Sequence, residues 1–146
     1  IMRDSRIGSF GTLALILVVL GKVGALATFW DGFAVAAALV AAAAFSRAVL
    51  PLIMYLQPSA RGRGLAAEAG RPALDRVLMA LAIGAGATLV LLPAGNAVSA
   101  LLAASVATAA VAWLLGRAFG GCTGDTLGAA QQCTELAFLT PLAAWH

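Results

Sequence analysis

The stretch of this chain best equipped for chemistry covers residues 116–135, which read GRAFGGCTGDTLGAAQQCTE. Gly120, Gly121, Gly124 and Gly128 free the backbone there for tight turns and for close approach to a ligand. Asp125 or Thr123 is placed to cap a following helix. If that helix starts near Asp125, then Gly128, Gln132 and Glu135 recur at helical spacing and form one polar face reaching ~15 Å into an apolar segment. Gln131 points away from that face. A Gly-rich loop and one Asp mark no more than a helix cap. Polar residues continuing below the loop argue for a ligand-lined cavity, because a carboxylate within a membrane is costly unless it meets a cation, a metal or water.

A second group, Arg3-Asp4-Ser5-Arg6, precedes the first apolar segment. Asp4 could hold a metal-bound phosphate through magnesium, and Arg6 could hold it through paired hydrogen bonds. A juxtamembrane basic segment with a Ser cap is the simpler alternative. Arg47 lies ~12 Å inside the end of the second apolar segment. It is expected either to face the interior, paired with Glu135 or a substrate phosphate, or to snorkel to the interface. Lys22, near the middle of the first segment, is structural or substrate-facing. Arg61, Arg63 and Arg71 read as topology determinants, although Gly62 and Gly64 beside them suit a phosphate-binding loop.

The elements that must position these groups are membrane helices. Of 146 residues, 62% are hydrophobic and 10% charged, against the roughly 25% charged of a soluble domain. The mean hydropathy is +1.00. Spans of about 20 apolar residues are needed to cross a bilayer, and the pattern predicts an all-α bundle of about five, over residues 11–30, 33–56, 76–92, 97–119 and 126–145. Pro93-Ala94-Gly95-Asn96 reads as a turn. Small residues crowd these spans: Ala37, Ala38 and Ala41 to Ala44 in the second, Gly84 and Gly86 in the third, Ala103, Ala104, Ala107, Ala109 and Ala110 in the fourth. They predict close helix packing.

Arg3, Arg6, Arg61, Arg63, Arg71, Arg76 and Arg117 all fall at one end of a five-span bundle, with Asp31 and the turn at Asn96 at the other. The bias of basic residues toward the cytoplasm then places residues 1–10, 57–76 and 117–127 inside the cell. The net charge of +3 is scattered and not interleaved with aromatic residues, so nucleic acid is not an expected partner. Cys122 and Cys133 form no metal-binding pair with the single His146. The start at Ile1, without a signal peptide, reads as that of a fragment, a single membrane domain from a longer chain. A homo-oligomer is left open.

Residues 1–11 (IMRDSRIGSFG) and 120–135 (GGCTGDTLGAAQQCTE) resemble the two segments that mark cobalamin synthases, also called adenosylcobinamide-GDP ribazoletransferases. The first is similar to the family's IM(K/R)DSRIGxFG and the second to its GGxTGDxLGAxxxxxE. Arg47 to Leu52 and Ser59 to Leu65 resemble further family patterns, Arg-x-x-x-Pro-Leu and Ala-Arg-x-x-Gly-Leu, so the likeness covers essentially the whole chain. It implies a multi-pass, magnesium-using enzyme of the bacterial inner membrane that joins adenosylcobinamide-GDP to α-ribazole or its 5′-phosphate and releases GMP. On that likeness Asp4 and Asp125 take metal or base roles and Glu135 orients one of them. Arg6 and Arg47 contact phosphate, and Arg117, Thr123, Gly124 and Gln132 contact substrate.

An acidic family segment similar to DGLADTxDG has no counterpart here; Asp31-Gly32-Phe33 is isolated and at the wrong end. If that segment supplies metal ligands, these residues alone are inactive. The competing classes are a CDP-alcohol phosphotransferase, whose longer Asp-rich signature is absent from these residues, and a transporter or scaffold with Arg47 and Glu135 along its path. The charge pattern predicts that cysteines introduced as Asp4→Cys and Asp125→Cys react with an impermeant maleimide from one side of the membrane, and Asp31→Cys from the other.

Overall fold

A computed structural model describes residues 9–59 and 69–144. They form helices α1 (Ser9–Leu26), α2 (Gly32–Ala48), α3 (Leu50–Leu56), α4 (Leu74–Leu91), α5 (Ala94–Phe119) and α6 (Gly124–Ala144). Because α2 and α3 continue one another, the described residues make five helical passes, the all-α bundle that the apolar periodicity predicts. Three passes are long and apolar enough to cross a membrane: Gly32–Leu56, Leu74–Leu91 and Ala94–Phe119. The other two fall short of the expected five for separate reasons. The apolar part of α1, Gly11–Leu26, is shorter, and α6 carries Asp125, Gln131, Gln132 and Glu135.

Proline and glycine set the helix ends. Pro51 has no N–H to offer the Arg47 carbonyl, and the pass breaks at Val49 into α2 and α3. Gln57, before Pro58, and Leu92, before Pro93, are both extended, with φ/ψ of −115/135 and −118/149, because a following proline disfavours the helical region. Residues 93–96 are not the expected turn. Pro93 caps α5, its carbonyl accepting from Ala97 N–H at 2.8 Å, and its fixed φ suits a helix start. Gly120 ends α5 in the left-handed region at φ 73, where a side chain would be strained. Pro141 interrupts α6 near its end. The Ala137 carbonyl that it leaves unbonded accepts from Thr140 Oγ1 at 2.9 Å, the side-chain substitution that membrane helices use.

The core lies between α2, α5 and α6, where Ala38, Ala41, Ala42, Ala100 and Ala104 are fully buried around Phe45, Phe138, Leu139 and Leu142. α1 packs on α6, and α4 packs on the far side of α2. The expected close packing holds at Ala37, Ala38, Ala41, Ala42, Gly84 and Ala104, which are buried, whereas Ala109 and Ala110 face outward. Large apolar side chains such as Leu13, Leu17, Leu78, Val90, Leu102 and Val106 are exposed, the outward surface of a membrane protein.

Gly84 sits at a close crossing of α2 and α4. A Cβ there would come 2.6 Å from Ala48 Cβ and 3.2 Å from Phe45 Cα, so α2 and α4 can meet only around a residue without one. Gly84→Val should therefore destabilise the bundle by about 1–3 kcal/mol through overpacking, read as a lower unfolding midpoint in detergent. Gly86→Ala, where a Cβ would meet nothing within 4 Å, should leave the midpoint unchanged.

Candidate active site

The loop of residues 120–123 is held against the chain leaving α3. Cys122 N–H donates to the Pro58 carbonyl at 2.9 Å, Ser59 and Cys122 form a parallel bridge, and Cys122 Sγ, buried, lies 3.7 Å from the Gln57 carbonyl. Gln57 crosses to α5, its Nε2 donating to the Ala112 carbonyl at 2.6 Å over Gly116, where a Cβ would stand 2.8 Å from that nitrogen. The segments carrying Arg71 and Arg117 thus share one end of the bundle with the start of α6. Asp31 and Asn96 lie at the other end, as the alternation of passes requires.

Thr123, not Asp125, caps α6. Its Oγ1 accepts from Thr126 N–H at 3.2 Å, and Thr126 Oγ1 accepts from Thr123 N–H at 2.7 Å, a reciprocal pair equivalent to a capping box. Asp125 in the first turn is exposed and makes no hydrogen bond or ion pair to any described residue. Among the described residues, none holds its carboxylate. Gly124 opens the helix, exposed, with open space beside it. From Asp125, the polar face descends through Gly128 to Gln132 and Glu135 as the spacing predicts.

At its deep end the face meets α1. Lys22 Nζ lies 3.2 Å from Glu135 Oε1, the two side chains only 17% and 13% exposed, and it donates to Gln132 Oε1 at 2.6 Å. The ammonium thereby supplies the cation that a carboxylate in an apolar bundle requires. Gly21 makes the approach possible, since a Cβ there would already touch the Leu136 side chain at 3.0 Å. On the opposite side of α6, buried Thr134 and Thr108 of α5 share a hydrogen bond of 2.8 Å. Each also donates to, or lies within reach of, its own helix at Ala130 and Ala104.

Two expectations change. Arg47 is exposed, and its Nη1 donates to the Ala43 carbonyl at 3.0 Å. It does not pair with Glu135, which has Lys22 instead; Arg47 is exposed within α2, whose buried residues include Ala37, Ala38, Ala41, Ala42, Phe45 and Ala48. Thr123 spends its hydroxyl and N–H on the cap. Arg117 is exposed with its guanidinium 5.0 Å from the Trp113 ring centroid. Asp4 and Arg6 lie outside the described residues. Among the described residues, no three of His, Cys, Asp and Glu gather to hold a metal ion. Lys22 as the partner of Glu135 was not identified from sequence, although a charge in mid-span and a carboxylate in another span were the signal for it.

A family model described as cobalamin-5-phosphate synthase matches residues 1–143. Curated relatives named adenosylcobinamide-GDP ribazoletransferase include one from Mesorhizobium japonicum, 45% identical over 95% of this chain and 53% of its own length. Another, from Bradyrhizobium diazoefficiens, is 42% identical over 100% of this chain and 56% of its own length. A third, from Escherichia coli K12, is 42% identical over 97% of this chain and 58% of its own length. The chain spans about half the length of these relatives. No solved structure matches.

The charge pair is tested by a double-mutant cycle. Lys22→Met or Glu135→Gln alone should lower stability by somewhat less than the ~3–5 kcal/mol of a fully buried pair, measured by reversible unfolding in mixed micelles. The double variant should recover much of that loss, since neither charge is then left alone.

Proposed function

Because this chain belongs to the cobalamin-5-phosphate synthase family, we propose that it forms part of a membrane transferase that joins adenosylcobinamide-GDP to α-ribazole or its 5′-phosphate. The 3′-hydroxyl of the ribazole attacks the phosphate attached to cobinamide. The new P–O bond forms as the bond to GMP breaks, and the hydroxyl proton passes to a carboxylate. The observation that carries this reading is the division of labour on α6: Thr123 makes the cap, leaving the Asp125 carboxylate open at the mouth, while Lys22 neutralises Glu135 below it.

The donor chemistry suits magnesium, which binds through one or two carboxylates with substrate phosphates and water completing its shell. Asp125, exposed and without a partner among the described residues, supplies one carboxylate, and Asp4 is the second in this reading. When bound, the ion would neutralise charge on the phosphate oxygens, and phosphoryl transfer depends mainly on such neutralisation and on alignment. Gly124 lets the backbone come close to the substrate. Arg117 contributes positive charge at the same end, and Arg6 takes a phosphate contact. Glu135 and Gln132 act through Lys22, holding α1 and α6 in register under the mouth. The basic residues at that end support a cytoplasmic mouth in a bacterial inner membrane.

Full-length protein in lipid vesicles, given labelled adenosylcobinamide-GDP and ribazole phosphate, should release GMP. Asp125→Asn should lower that release at least 100-fold with an unchanged unfolding midpoint, because Asp125 takes no part in the cap. Thr123→Ala should instead cost about 1 kcal/mol of stability, the usual loss of an N-cap. Corrinoid uptake without GMP release would overturn the reading in favour of transport.

A further inference from the structure

We propose that the cleft between Tyr55, Gln57, Ser59, Arg71 and Cys122 is a phosphate-binding subsite, with the Arg71 guanidinium as the group that holds a phosphate ester of the nucleotide-bearing substrate. The identity of that substrate rests on the transferase reading above; the subsite itself rests on geometry. Sequence alone read Arg71 as a topology determinant, a role that needs charge and no fixed position, with a phosphate-binding loop around Gly62 and Gly64 as the alternative. The structure gives it a fixed position. Its Nε donates to the Tyr55 carbonyl at 2.9 Å, and its guanidinium carbon stands 4.4 Å from the Tyr55 ring centroid. Gly70 precedes it at φ +69, a conformation that side chains rarely adopt, and so turns the chain back over the ring.

One hydrogen bond and one stacking contact together fix both the position and the plane of the guanidinium. Of its five N–H donors, the Nε is spent, and the paired Nη groups keep the geometry of a bidentate contact to a phosphate. No carboxylate of the described residues forms an ion pair with it. The cleft has a volume of about 180 Å³, below the ~300 Å³ at which whole-ligand pockets begin, a size that suits a phosphate group. Cys122 forms part of its wall and lies three residues before Asp125, which puts the cleft at the same end of the bundle as the proposed metal carboxylate.

The decisive variant is Arg71→Lys, which keeps the positive charge, and with it any topological role, but loses the fork and the stacking plane. Equilibrium binding of labelled GMP is measured on the full-length protein in nanodiscs of phosphatidylcholine, and again with phosphatidylglycerol added. The expected result is at least tenfold weaker GMP binding for Arg71→Lys in both lipids, with Arg76→Lys, the same exchange at an exposed residue on α4, unchanged. Equal GMP affinity for wild type and Arg71→Lys overturns the proposal, as does no measurable GMP binding by wild type. A difference seen only with phosphatidylglycerol also overturns it, by making a lipid headgroup the occupant. Release of GMP from adenosylcobinamide-GDP is followed separately: its absence with the binding result intact sinks the transferase reading and leaves the subsite standing.

Discussion

A carboxylate inside an apolar bundle must be neutralised, and here the contact between Lys22 and Glu135 meets that requirement across two helices far apart in sequence. The 3.2 Å ion pair and the 2.6 Å bond to Gln132 fix how α1 is rotated and how far it has slid along α6. Apolar contacts between smooth helices specify such register weakly, whereas a charge pair in a low-dielectric interior tolerates little displacement before its desolvation goes uncompensated. Gly21 is the steric condition for the pair, and without close approach at that glycine the ammonium could not reach both acceptors.

The rest of the bundle is held by shape. Alanine on α2 and α5 and glycine at position 84 of α4 let backbones come close, and the gain is dispersion and packing where lipid offers no hydrophobic drive. Polar side chains in this interior are used locally: Ser46 and Thr88 donate to backbone carbonyls in their own helices, and of Thr108 and Thr134 one donates to the other across α5 and α6 while the acceptor donates to its own helix. No buried side-chain nitrogen or oxygen of the described residues lacks a partner. In a medium without water that is the condition for stability.

Much of this was legible in the sequence, for reasons that can be stated. Helices separated by Pro58, Pro72, Pro93 and Gly120 follow from backbone sterics, so the order of the passes and the gathering of Arg71, Arg76 and Arg117 at one end could be read from local residues. The polar face on α6 followed from 3.6-residue periodicity. What could not be read was pairing between segments. Which cation meets Glu135 depends on how helices rotate against one another, and periodicity in one segment is silent about that. The depth of Arg47 allowed either an interior pair with Glu135 or a reach to the interface, and the structure has it exposed within α2. Asp125 and Thr123 were equal candidates for the cap because both side chains can accept the bond, and only the reciprocal Thr126 hydroxyl decides between them.

The short bridge between Ser59 and Cys122, with the Cys122 N–H on the Pro58 carbonyl, joins two turns that the chain separates by more than half a hundred residues. The reciprocal threonine cap begins one residue past Cys122, so the bridge leads directly into the first turn of α6. The exit of α3 and the entry of α6 therefore form one hydrogen-bonded corner at the end of the bundle that carries Asp125.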